Sequence, residues 1–186
     1  WLRQDLKAYL KYVKYPLAVR SSAILEDAHY RPSAGAYNTF MIPNNHPYIE
    51  VRLDQLIQAI KLVYASVYLE TPRALAKNSV YRPEEDKMAV IIQQLTGSEN
   101  GNYFYPAISG VAQSYNFYPV SYMKPEEGVA HIALGLGKIV VDGGVALRFS
   151  PKYPEFLTQF STIENILKNA QRYFYALKVK ADGMDF

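Results

Sequence analysis

The sequence predicts an α+β fold in which a mixed, largely antiparallel sheet is flanked by helices. Two observations lead to this class. Apolar residues recur at helical spacing in some stretches, and shorter apolar runs between those stretches have the length of strands. The dipeptide Asn100-Gly101 is a strong hairpin signal, which favours antiparallel pairing around it.

Three stretches have the pattern of helices. The first has apolar residues at helical spacing from Leu2 to Val13 and ends before Pro16. The second is expected to be capped by Asp54 and to end near Thr71. A capping box then predicts a last helix, with Ser161 and Glu164 at its start and Leu177 near its end.

Several short apolar runs are interpreted as strands. The run from Leu17 to Val19 has the character of a buried strand, and 88–95 is the strongest strand candidate. Two more strands are expected at 108–112 and 129–134, and 117–122 could pair with the first of these. Turns are predicted at 43–47 and 150–154.

Composition restricts the class of protein. The 186 residues suffice for one domain with a sizeable core, and 49% apolar against 20% charged residues excludes a disordered chain. Cysteine is absent, which excludes disulfides, thiolate metal sites and a cysteine nucleophile. The net charge of +3 is scattered, so no nucleic-acid partner is expected, and no run is long enough to span a membrane. We expect a cytoplasmic location.

The end of the first strand predicts a site for an anion. There the pattern turns polar and delivers Arg20, Ser21 and Ser22 together, and the small residues of 33–36 follow in a loop whose backbone could approach phosphate closely. On spacing alone, a surface arginine followed by an ordinary serine and glycine loop explains the same residues. The strand at 88–95 ends in glutamines that could bond an adenine edge, or it is a core strand with a polar end.

These segments together resemble a known family. Ala18-Val-Arg-Ser-Ser-Ala23 with Glu26-Asp27, then Ser33-Ala-Gly35 with Thr39-Phe40, is similar to the signature of the nucleotide-binding domain of phosphoenolpyruvate synthase. Pyruvate phosphate dikinase and rifampin phosphotransferase share this ATP-grasp-type domain. Further matching blocks follow in the family's order: 61–68 with Arg73-Ala74, Met88 to Gln93, Ile108 to Ala112 and Gly135 to Gly143.

The resemblance implies an ATP site. It assigns Arg20 as the catalytic phosphate clamp and implies an ATP-binding set consisting of Arg20, Ser21, Ser22, Ala34, Gly35, Thr39, Gln93, Gln94 and Leu95. It also implies a phosphate-loop part at 1–80, an adenine-side sheet part at 81–150 and a helical extension at 151–186. Because the family's other parts cannot be found here, we expect an incomplete ATP-grasp-like domain cut from a longer protein.

The resemblance implies partners as well. In the family, phosphate passes from ATP to a histidine on another domain, so phosphohistidine and pyruvate-binding domains of the same parent protein are the expected partners. The family's magnesium ligands cannot be placed in this sequence, and Mg²⁺ is expected to be held outside the chain. No metal site within the chain is predicted. The chain alone is therefore expected not to turn over.

Two residues depart from the family pattern. Lys138 stands where glutamate is usual, and Tyr37 stands where glutamine is preferred. Two alternatives follow: a degenerate nucleotide-binding fold that regulates or binds a partner, and a rifampin-type small-molecule phosphotransferase. The glycines around Lys138 do not make a P-loop, because Ile139 follows where serine or threonine is required. His131, inside an apolar strand, is interpreted as a packed core residue.

Overall fold

The computed structural model describes residues 1–23, 37–69, 87–120, 123–141 and 143–180. The chain forms two compact units, one of 1–96 with 177–186 and the other of 97–176. Both contain helices and small antiparallel sheets, which confirms the α+β class. The predicted parts at 1–80, 81–150 and 151–186 are functional divisions and stay a prediction.

The described helices and strands are as follows. The helices are α1 (Leu2–Tyr12), α2 (Ile49–Ala65), α3 (Lys138–Val141) and α4 (Ile163–Asn169), with 3₁₀ turns at Ser66–Tyr68, Pro125–Glu127 and Thr158–Phe160. The strands are β1 (Leu17–Ala23), β2 (Phe40–Ile42), β3 (Met88–Gln94), β4 (Ser98–Asn100), β5 (Tyr103–Tyr105), β6 (Ile108–Gln113), β7 (Val129–Leu134), β8 (Leu147–Phe149) and β9 (Leu177–Lys178).

The first unit is built on a three-stranded antiparallel sheet in the order β2-β1-β3. The two long helices, α1 and α2, contribute apolar side chains to the same core as one face of this sheet. The fully or almost fully buried members of that core are Leu6, Leu10, Val13, Leu17, Val19, Leu53, Leu56, Ala59 and Val63. Apolar residues at the helical spacing of 3.6 and apolar residues at the strand spacing of 2 thus pack into one hydrophobic core.

Helix α2 begins earlier than the sequence predicts. The expected cap, Asp54, lies inside the helix, which starts at Ile49. Its carboxylate accepts a hydrogen bond from Arg3 at 2.9 Å, and Glu50 pairs with Lys7, so both acids face α1. These pairs across the two helices favour the earlier start over capping. The predicted end near Thr71 lies outside the described residues.

A buried arginine joins α1 to α2. Arg52 is 7% exposed and donates to the carbonyl oxygens of Leu10 and Val13, at 3.0 Å each. Asn44 donates to the same Val13 oxygen and to that of Tyr15, at 3.2 and 3.0 Å. A cation is favourable at a helix C-terminus, where carbonyl groups lack partners within the helix. Arg52 and Asn44 therefore fix the corner between α1 and β1.

The second unit contains a hairpin and a second sheet. Strands β4 and β5 pair around Gly101, whose φ of +65° fits the predicted hairpin turn. Strands β6, β7 and β8 form an antiparallel sheet in that order. The expectation that 117–122 pairs with β6 is wrong for its described residues: Phe117 to Val120 form no strand, and β6 pairs with β7.

The last helix is shorter than predicted. Thr162, rather than Ser161, caps α4, and the helix ends at Asn169 instead of continuing to Leu177. The segment beyond it is held by tertiary bonds. The side chain of Gln171 accepts from the Leu134 N–H at 2.8 Å and donates to the Leu134 carbonyl at 3.0 Å. This pairing with the end of β7 outweighs the local helical periodicity.

Candidate functional site

The predicted phosphate clamp lies within β1, not beyond its end. Strand β1 continues through Arg20, Ser21 and Ser22 to Ala23. Because side chains alternate along a strand, Arg20 and Ser22 share one face, and Ser21 lies on the other face with Val19. The burial agrees: Arg20 is exposed and Ser22 half-buried, whereas Ser21 is 2% exposed. The structure thus separates the two serines.

Strand β3 adds one glutamine to the face of Arg20. In the antiparallel register Arg20 lies opposite Ile91, and Ala18 lies opposite Gln93. Gln93 is therefore a diagonal neighbour of Arg20, at a separation of roughly 7–8 Å. Both side chains are exposed. We call the surface formed by Arg20, Ser22, Ile91 and Gln93 the Arg20 face.

Thr39 lies beside the same face. It is exposed and directly precedes Phe40, which pairs with Val19. Extending this pairing of β2 with β1 by one residue places Thr39 opposite Arg20. Thr39 then lies on the side of β1 that faces away from β3. Arg20, Thr39 and Gln93 thus lie at neighbouring positions of three adjacent segments, and their roles in binding phosphate and base stay a prediction.

The remaining assigned residues lie elsewhere or outside the description. Gln94 pairs with Leu17 and belongs to the opposite side of the sheet, and Leu95 is 8% exposed, with its N–H bonded to the Pro16 carbonyl at 2.9 Å. Ala34 and Gly35, the predicted phosphate loop, lie outside the described residues.

Sequence reasoning missed Ile91. It is 37% exposed and lies directly opposite Arg20, where it offers an apolar surface beside the cation. Strand β3 was expected to be buried, but its residues alternate between half-buried and exposed as far as Gln93. Reading the run for a period of two residues would have found this exposed stripe.

Arg20 is available to a ligand. Among the described residues no carboxylate forms an ion pair with it, and its Nε makes only a long bond of 3.5 Å to the Ser21 carbonyl. A guanidinium is charged at any working pH and can bind two phosphate oxygens at once. An exposed arginine without an ionic partner is suited to binding an anion.

The glycine turn of the second unit has a packing role. Gly135 has a φ of +78°, and a side-chain carbon there would lie 2.6 Å from Cδ2 of Phe174. The Leu136 N–H donates to the Tyr175 carbonyl at 2.9 Å. Lys138, the family departure, begins α3, and its Nζ lies 5.8 Å from the ring centroid of Tyr175. Because Gly135 has no side chain, the segment that contains Phe174 and Tyr175 can pack against this turn.

His131 is half-buried in β7, opposite Val111 on one neighbour and Arg148 on the other. Burial lowers the pKa of its imidazole, and the nearby Arg148 guanidinium lowers it further. Both effects favour the neutral ring. The interpretation of His131 as a packed residue agrees with this position.

Within the described residues, no group of three or more histidine, aspartate or glutamate side chains could hold a metal ion. The Mg²⁺ site stays a prediction. No helix in the same described ranges is long and apolar enough to cross a membrane.

The family model of the AMP/ATP-binding domain of pyruvate phosphate dikinase matches residues 2–178. Because the match spans nearly the whole chain, the chain belongs to this family. The suspected resemblance is thereby confirmed, and the chain is an ATP-binding domain of pyruvate phosphate dikinase-like enzymes. No curated protein sequence matches the chain.

Proposed function

We propose that the Arg20 face binds the phosphates of ATP in an ATP-grasp-type domain. The observation that carries the proposal is the exposed guanidinium of Arg20 on the central strand, which has no carboxylate partner within the described ranges, with Thr39 at its level and Gln93 diagonal to it. Ser22 is the serine placed to assist on this face. Ala34 and Gly35 remain proposed backbone contacts, and Gln94 and Leu95 remain proposed base contacts.

The chemistry proposed for this face is positioning and charge neutralisation. In phosphoryl transfer the protein holds the nucleotide and stabilises the charge that develops on the phosphoryl oxygens. A bidentate arginine can do both, because its fork fixes the orientation of the phosphate while its charge remains constant. In the longer protein we propose that phosphate then passes to a histidine of another domain, with Mg²⁺ held by ligands outside this chain.

Calorimetric titration of ATP tests the clamp. We expect Arg20→Ala to weaken ATP binding by roughly 1.5–3 kcal/mol, the value typical of a hydrogen bond to a charged group. Arg3→Ala is the matched control, because Arg3 is also an exposed arginine of the first unit but pairs with Asp54 on α2. Equal losses in the two variants, or no loss in Arg20→Ala, would contradict the assignment.

Lys138 motivates a second candidate function. A lysine in place of the family's usual glutamate reverses a charge, which favours a degenerate nucleotide-binding fold with a regulatory or binding role. Conversion of ATP to AMP, measured in the longest available form of the protein with and without Lys138→Glu, separates the two. We expect conversion by the wild type. Activity that appears only in Lys138→Glu would establish the degenerate form instead.

A further inference from the structure

A cleft of about 530 Å³ lies in the first unit, and none of the residues assigned to ATP is among the described residues that line it. We call it the β2 cleft. One wall is the whole of β2, another is a stripe of α2, and Lys178 with Val179 closes one side. The lining residues are Phe40, Met41, Ile42, Pro43, Asn45, His46, Val51, Gln55, Gln58, Ala59, Leu62, Lys178 and Val179. Its size is that of ligand-binding clefts.

The cleft follows the outer edge of β2. Successive side chains of a strand point to opposite faces, yet Phe40, Met41 and Ile42 all line the cleft. A cleft that touches both faces runs along the edge between them. In the described sheet β2 is an end strand, with β1 on its inner side. Exposed strand edges present backbone hydrogen-bonding groups, and proteins usually cover them.

The α2 wall carries no charge. Val51, Gln55, Gln58 and Leu62 recur at helical spacing along this wall. The neighbouring acids, Glu50 and Asp54, are turned to α1, where they pair with Lys7 and Arg3. From Val51 to Leu62 the helix rises by about 16 Å, which matches about five residues of extended chain.

The two ends of the cleft differ in charge. The described residues of the lining include no aspartate or glutamate, and Lys178 is the permanently charged side chain among them. Asn45 donates to the Val179 carbonyl and so holds the Lys178 segment beside the loop that follows β2. A ligand that fits this charge has an apolar body and an acidic group at the Lys178 end.

We propose that the β2 cleft binds an extended, mostly apolar segment of a partner polypeptide, which adds as a strand to the outer edge of β2 and places an acidic residue at Lys178. Main-chain hydrogen bonds to an edge strand, with side chains in flanking pockets, are an established mode of peptide recognition. This proposal goes beyond the proposed ATP site and does not depend on it.

Fluorescence anisotropy with a synthetic peptide tests the proposal. The probe is fluorescein-labelled Val-Val-Thr-Val-Val-Glu, and its control has the same side chains with methylated backbone nitrogens. We expect saturable binding of the probe and loss of binding for the methylated peptide, which cannot donate to β2. Absence of saturable binding, or equal binding of both peptides, would overturn strand addition.

Charge reversal at Lys178 tests the orientation of the bound segment. We expect Lys178→Glu to weaken probe binding about tenfold, while Lys180→Glu, an exposed lysine outside the cleft lining, leaves binding unchanged. Circular dichroism shows whether each variant keeps the fold. If a variant does not, binding of the probe and of the methylated peptide to the wild-type protein still tests strand addition. Displacement of the probe by ATP would overturn the separation of this cleft from the nucleotide site.

Discussion

At the scale of single residues, the buried Arg52 has the clearest energetic role. It lies in α2, yet two of its hydrogen bonds go to carbonyl groups at the end of α1. No acid forms an ion pair with it within the described residues, and the carbonyl dipoles of a helix terminus stabilise its charge instead. The corner that leads into β1, and hence to Arg20, depends on this side chain.

Removing Arg52 is expected to destabilise the fold. Arg52→Met should lower the free energy of unfolding by about 2–4 kcal/mol, because buried carbonyl groups lose charged donors. The measurement is urea denaturation followed by circular dichroism. Arg3→Met is the control: its ion pairs are exposed, so a change of about 0–1 kcal/mol is expected. Similar losses in both variants would contradict the role given to Arg52.

His131 is expected to make stability depend on pH. Because its pKa is lowered in the folded state, the unfolded chain binds a proton more readily. Its contribution to stability is therefore complete above about pH 6.5, the ordinary histidine value, and is lost as the pH falls through the lower pKa of the folded state. His131→Gln should reduce the loss of stability in that acidic range. Urea titrations from pH 7 to pH 5 measure this, and an unchanged slope would contradict it.

At the scale of elements, the local sequence pattern predicted parts of both units. The first helix, the hairpin and the strands β1, β3, β6 and β7 are confirmed. Errors occurred where a distant contact decided the outcome: Asp54 pairs across helices instead of capping, and Gln171 bonds the end of β7 where a helix was expected. Neither partner is visible in a local window of sequence.

For the candidate site, the sequence identified the central residue but not its geometry. Arg20 and Gln93 were selected separately, on different strands. Their diagonal relation depends on the register between β1 and β3, which the sequence does not specify. Alternation along each strand separates Ser21 from Ser22 and Gln93 from Gln94.

The turn at Gly135 is expected to be more sensitive to substitution than the turn at Gly101. Gly135→Ala adds a carbon 2.6 Å from the Phe174 ring at a φ of +78°, whereas Gly101→Ala has a similar φ of +65° but nothing within 4 Å. The left-handed backbone costs about 1–2 kcal/mol in each, and overpacking adds about 1–3 kcal/mol to Gly135→Ala alone. Thermal unfolding of the two variants measures the difference. Equal melting temperatures would contradict the packing role.

At the scale of the whole molecule, the two compact units divide the assignments. Arg20, Thr39 and Gln93 belong to the first unit, whereas Lys138 and the glycine turn belong to the second. The calorimetric effect of Arg20→Ala therefore reports on the first unit, and the effect of Lys138→Glu on the second. Comparing the two variants assigns ATP binding and ATP conversion to separate parts of the chain.

The position of β1 at the centre of its sheet has a consequence for synthesis on the ribosome. Strand β1 ends at Ala23, but its partner β3 begins at Met88. Roughly 65 residues must be added between them, which takes about 3–13 s at about 5–20 residues per second. During that time one edge of the central strand has no partner. We therefore expect the nascent chain to need a chaperone most while residues 24–87 are being made.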